Sequence, residues 1–219
     1  RGLRSNASRA TENQQLSSSS RNVLTMLQKW KNRRQDLHRY EFVHQGLRAA
    51  FPGVYDGLDL EGAQTIAGAV YRPGDEMPGP ISHESNGVLS MLMLLAQLAS
   101  AEPGGLVATD EPENAQHPFA IREFTKRARA WAQQHDITLA FTTHSPVLIN
   151  EFQAEPERVF VIERGQEVSP APLDSLRTRE WLQNFMLGEL YVQGEFAANE
   201  AALLTTAYER TSDKGYLAK

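Results

Sequence analysis

The sequence predicts a mixed α/β fold with a buried sheet, flanking helices and a helical C-terminal extension. Three observations carry that expectation. The stretch Val88–Ser100 is almost wholly apolar, and a helix apolar on every side is a buried one. Two short apolar runs, Leu106–Thr109 and Ile137–Phe141, read as strands, and the amphipathic stretch Phe119–Gln134 between them reads as the helix that joins parallel strands. Both strands end in polar clusters, Asp110-Glu111 and Thr142-Thr143-His144-Ser145, where open α/β sheets bind ligands.

Bulk properties narrow the function classes. A length of 219 residues suits one domain, or one domain with an appendage. The net charge of −5 excludes a whole-chain basic field for nucleic acid and leaves only local patches. The absence of cysteine excludes disulfides, thiolate zinc sites and thiol nucleophiles, and suits a cytoplasmic location. No apolar run reaches the length of a membrane span, and no signal-peptide pattern opens the chain, so no membrane partner is expected. The first residue is Arg1, which reads as the start of a piece of a longer protein or of a processed one.

In chain order, residues 1–20 are rich in Ser, Asn, Gln and Arg and read as a flexible connector. Residues 21–52 form a helical segment. Val23, Leu24, Met26, Leu27 and Trp30 make one apolar stripe, and Leu37, Tyr40, Phe42, Val43, Leu47 and Phe51 a second, stopped by Pro52-Gly53. The basic run Lys29, Lys31, Arg33 and Arg34 fits the wet face of amphipathic helices, with nucleic-acid contact as the alternative.

Residues 53–174 form the core. Val54–Leu60 and Thr65–Arg72 flank Glu61-Gly62 as a hairpin, and Pro73-Gly74 and Pro78-Gly79-Pro80 make a loop. Ser85, Asn86 and Gly87 stand at the start of the buried helix, where capping residues belong and where free N–H groups and the helix dipole favour an anion. A further strand spans Arg158–Glu163 and turns at Arg164-Gly165 into Glu167–Ser169. Residues 175–219 form the helical extension, apolar at Trp181, Leu182, Phe185, Met186, Leu190 and Tyr191.

Asp110-Glu111-Pro112 is the stretch with the clearest chemistry. Adjacent acids leave a strand end in different directions, so one can hold a Mg²⁺ while the next orients a water. Pro112 stops the strand and Pro118 opens the next helix, with His117 fixing the turn before it. Parallel strands joined by a helix bring their carboxyl ends to one edge, which would place the acid pair near His144. His83 and Glu84 are adjacent and do not share a helical face, so they are discounted as a metal pair.

The order Ser85-Asn86-Gly87 with its buried helix, then the apolar run into Asp110-Glu111-Pro112-Glu113, then Thr143-His144-Ser145-Pro146, resembles the ATP-binding heads of the ABC/SMC superfamily. It looks closest to the stand-alone AAA-type ATPases related to RecF and the OLD proteins, over about residues 22–195. The resemblance implies a P-loop NTPase fold that binds ATP and Mg²⁺. Ser85, Asn86 and Gly87 would form the signature motif that touches the γ-phosphate held by the opposite subunit of a homodimer. Asp110 would be the Walker B carboxylate on Mg²⁺ and Glu111 the general base. His144, followed by Ser145, would be the switch histidine that senses the γ-phosphate, and Glu113–His117 would fill the D-loop region at the dimer interface. Relatives imply a role in DNA repair or anti-phage defence, beside a protein effector and with DNA as a further partner.

The sequence departs from that pattern at identifiable places. No Gly-x-x-x-x-Gly-Lys-Ser/Thr loop occurs, and Gly-Lys occurs nowhere, so the expectation is an N-terminal Walker A lobe that this chain lacks. Thr109 replaces an aliphatic residue, and Gln116 replaces the Leu that usually precedes His-Pro. The alternative is a scaffold that keeps the fold without turnover and binds nucleic acid or protein through the helices around Arg33 and Arg34. A transporter subunit is disfavoured, because Leu-Ser-Gly-Gly-Gln is absent.

Overall fold

The computed structural model describes residues 7–9, 22–162 and 170–196. The chain divides into two compact units, Arg1–Thr143 and His144–Lys219. This division falls inside the 53–174 stretch expected from sequence as one core.

The first unit holds two N-terminal helices, α1 (Val23–Asn32) and α2 (Leu37–Ala50), which follow a short strand. The apolar stripe of α1 is buried throughout: Val23, Leu24, Met26, Leu27 and Trp30. Lys29 and Lys31 lie in its last turn, where they offset the negative end of the helix dipole. Strands β2 (Gly57–Glu61) and β3 (Thr65–Tyr71) pair antiparallel from Gly57 opposite Tyr71 to Glu61 opposite Ala67, which is the expected hairpin. Gly62 takes φ +120° in its turn, and a Cβ there would fall 1.9 Å from Thr65 O, so only glycine fits. β3 also pairs with β1 (Ala7–Arg9) and with β4 (Gly79–Pro80). Part of the expected connector is therefore a strand, and the rest of residues 1–20 lies outside the described residues.

A polar pair ties α2 to the segment that precedes β2. His44 Nδ1 and the Tyr55 hydroxyl are 3.1 Å apart. Burial raises the Tyr55 phenol well above its usual range, so it stays protonated and donates. Burial, and then the Arg48 charge, lower the His44 pKa.

A short 3-10 turn, Ile81–His83, leads to α3 (Asn86–Ser100), the buried helix that the sequence predicts. Met91, Leu92, Leu95 and Leu98 are its largest fully buried side chains. Then β5 (Leu106–Asp110), α4 (Pro118–His135) and β6 (Thr138–Thr142) make one parallel strand–helix–strand unit, with Leu106 opposite Thr138 and Asp110 opposite Thr142. Phe124 of α4 faces Phe141 of β6 at 6.0 Å between ring centroids, so α4 covers one face of this pair.

The buried sheet expected from sequence needs correction. Among the described residues β5 and β6 form a two-stranded sheet with one face uncovered. Val107 is its buried residue, while Leu106 is 66% exposed and Ala108, Asp110, Thr138, Ala140 and Thr142 are exposed with it. The two-residue alternation of strand side chains explains the pattern: α4 shelters the face of Val107, Leu139 and Phe141 and cannot reach the other.

The second unit contains α5 (Pro146–Asn150), a 3-10 turn at Pro156–Arg158, and strands β7 (Phe160–Val161) and β8 (Ala171–Pro172), which pair antiparallel. Three short helices follow: α6 (Leu173–Leu176), α7 (Arg179–Leu182) and α8 (Leu187–Val192). Ile149, Val161, Leu173, Leu182, Leu187, Leu190 and Phe196 form its core. Gln153 holds the turn between α7 and α8, donating to Leu182 O and Phe185 O and accepting from Leu187 N. As far as Phe196 the expected helical extension is broken into pieces, each restarted by a residue with extended backbone: Pro172, Thr178 and Met186; residues 197–219 lie outside the described residues. The expected strand Arg158–Glu163 is shortened because Pro156 sets a 3-10 turn that runs through Arg158. The Arg164-Gly165 turn and Glu167–Ser169 lie outside the described residues. No helix among the described residues is long and apolar enough to cross a membrane.

Candidate functional site

The parallel register sets the centre of the site. Asp110, the last residue of β5, stands opposite Thr142, the last of β6. The Thr142 hydroxyl donates to Asp110 Oδ1. Glu111 then leaves the strand with φ +45°, a left-handed conformation uncommon outside glycine. Its N–H donates to both Thr142 O, at 3.1 Å, and Thr142 Oγ1, at 3.2 Å. Thr142 thus fastens both acids at the strand end. The Asn114 amide donates to Glu111 Oε2 at 2.8 Å, and the Thr143 hydroxyl donates to Glu113 Oε1 at 2.6 Å. The loop closes at His117, whose Nδ1 accepts from Phe119 N at 3.2 Å and so caps α4. This is the turn-fixing role expected of it.

The start of α3 lies against the same loop. Ser85 Oγ accepts from Val88 N at 3.3 Å, capping the helix, and Ser85 and Asn86 are exposed. Gln116 donates to Gly87 O at 3.1 Å. A Cβ on Gly87 would come within 2.8 Å of Ala115 O, so the two backbones touch with no room for a methyl group. Within the first unit, the structure therefore joins Ser85–Gly87 to the loop that follows Asp110 and Glu111.

His144 and Ser145 open the second unit. His144 Nδ1 lies 2.7 Å from the Tyr191 hydroxyl of α8. Ser145 Oγ accepts from Leu148 N at 3.3 Å and caps α5. His83 and Glu84 do not form a metal pair: Glu84 is buried and bonded to Arg72 at 3.0 Å.

The donor set bears on which metal could bind. Among the described residues no group of three or more His, Cys, Asp or Glu side chains converges on a point. Mg²⁺ takes one or two carboxylates and completes its shell with water and phosphate, which one exposed, hydroxyl-anchored carboxylate such as Asp110 suits.

Sequence reasoning placed Thr142 and Thr143 in the strand-end cluster and Asn114 in the 113–117 loop, but gave none of them, nor Tyr191, an anchoring role. The first two had a readable signal, because equal strand lengths around one helix put Thr142 level with Asp110. Tyr191 had none, since its pairing with His144 joins residues far apart in sequence through a core that pattern does not reveal.

Residues 45–150 match the family model described as "AAA domain, putative AbiEii toxin, Type IV TA system". No curated protein matches the chain. The matched stretch runs from within α2 to the end of α5 and takes in Ser85–Gly87, Asp110-Glu111 and His144-Ser145, though it is just under half of the 219 residues. By that match the stretch is similar to AAA domains and supports a P-loop ATPase family.

Proposed function

We propose that this chain is part of an ABC/SMC-type ATPase head of the RecF/OLD kind, which binds and hydrolyses ATP with Mg²⁺. The observation that carries the reading is the anchored acid pair: Thr142 holds Asp110 by its side chain and Glu111 by its backbone, at the open end of two parallel strands. Asp110 would hold Mg²⁺, which when bound neutralises charge on the phosphate oxygens. Glu111 would orient the attacking water and take its proton, with the plane of its carboxylate set by Asn114 at Oε2. Ser85, Asn86 and Gly87 would meet the γ-phosphate held by the second subunit of a homodimer. His144, steadied by Tyr191, would sense that phosphate, with Ser145 beside it. The phosphate-binding Gly-Lys-Ser/Thr loop would come from outside these 219 residues.

In the cell, such a head would work in the cytoplasm and drive a protein effector, in anti-phage defence or DNA repair, with DNA as a further ligand. The toxin–antitoxin wording of the matched family favours defence. The test is Glu111→Gln in the protein that includes the phosphate-binding loop: nucleotide binding is kept and turnover is lost. An unchanged rate excludes Glu111 as the base.

A further inference from the structure

Gln116 makes a side-chain bond between the loop after β5 and the start of α3. Its Nε2 donates to Gly87 O at 3.1 Å. Only the amide nitrogen can serve a carbonyl, so this bond decides which way the amide faces. That orientation leaves Gln116 Oε1 buried with no hydrogen-bond partner. A buried acceptor without a donor is destabilising, and an apolar side chain of similar size would avoid the penalty. The amide therefore stands here against local stability, and what it gains is the bond to Gly87. The backbone contact of Gly87 with Ala115 O lies at the same point, so bond and contact act together.

We propose that Gln116 is a positioning residue, an amide clasp that makes the first turn of α3 and the loop from Asp110 to His117 move as one body. The separation between Ser85–Gly87 and the acid pair is then fixed by Gln116 instead of by the mobility of an exposed loop. Its consequence for turnover rests on the ATPase reading above, whereas the clasp itself does not.

Hydrogen–deuterium exchange on this chain tests the clasp. Gln116→Leu keeps the volume and removes the bond. Exchange is expected to rise several-fold in both Gly87–Leu89 and Glu111–His117, with the melting temperature unchanged or higher. Gly87→Ala, which forces the same contact apart from the other side, is expected to loosen the same two segments together. Exchange that stays unchanged, or rises in one segment only, overturns the proposal. In the protein with its phosphate-binding loop, Gln116→Leu is expected to lower kcat about tenfold at constant KM for ATP, the scale of a small misplacement of reacting groups. Paired loosening with kcat unchanged overturns the positioning role. Absence of hydrolysis in the unsubstituted protein would sink the ATPase reading, while the exchange result would still decide the clasp.

Discussion

Replacing Thr142 by Val separates the anchoring of Asp110 from the stability of the fold. Valine keeps the shape and β-branching that suit a strand, so β6 is preserved. The bond from Glu111 N to Thr142 O, at 3.1 Å, also survives, because it uses the backbone. What disappears is the hydroxyl that donates to Asp110 Oδ1 and accepts from Glu111 N. A hydrogen bond to a charged group contributes about 1.5–3 kcal/mol net. Asp110 and Thr142 are both exposed, so solvent screening brings the stability loss to about 1 kcal/mol or less. On the proposal that Asp110 holds Mg²⁺, the larger effect falls on the metal, since losing a group that orients a ligand typically costs about 10–100-fold in metal affinity. The exposure of this pair argues for the lower end, about tenfold. The assay is a Mg²⁺ titration of ATP hydrolysis by the protein that includes the phosphate-binding loop, with thermal unfolding run alongside. Half-saturating Mg²⁺ should rise about tenfold with little change in melting temperature, and Thr142→Ser should restore the original value. A Val variant with the unsubstituted Mg²⁺ dependence refutes the anchoring argument.

Other expectations concern stability. Ala115 takes φ +62°, a conformation that costs an L-residue about 1–2 kcal/mol, whereas glycine costs about 0.4–1 kcal/mol in chain entropy. Ala115→Gly should therefore stabilise by about 1 kcal/mol or slightly less in denaturant titration, and a clear loss of stability contradicts the strain assignment. His44 binds a proton less readily in the folded chain than in the unfolded one, so its contribution is present above the usual histidine value of about 6.5 and is lost as pH falls below it. Unfolding measured from pH 7.5 down to 5.5 should show falling stability, and His44→Gln should flatten that limb; equal slopes would remove His44 as the cause.

Elements with strong local patterns were legible in the sequence. The apolar run Val88–Ser100 gave α3 almost to the residue, because burial on all sides leaves no other element of that length. Gly62 marked the hairpin, because its turn needs a conformation open to glycine alone. The end of β5 at the acid pair was legible because Pro112 follows it, and the start of α4 because Pro118 opens it. The second unit was not, because its helices have four to six residues and are set by Gln153 and by a core of distant side chains. Nor was the open face of β5 and β6: an apolar strand sequence shows that burial suits it, not what covers it. The ties at Thr142 and Gln116 escaped notice for a related reason, since hydrogen bonds across elements depend on register and not on local pattern.

The central claim is that Glu111 activates water at an Asp110-held metal. Single-turnover ATP hydrolysis by the protein with its phosphate-binding loop, carrying Glu111→Gln and compared with the unsubstituted form at equal nucleotide occupancy, tests it most directly. The account expects occupancy to be kept and the rate to fall by about 10²–10⁴-fold, the contribution of a general base. A Glu111→Gln protein that hydrolyses bound ATP at the original rate would contradict it.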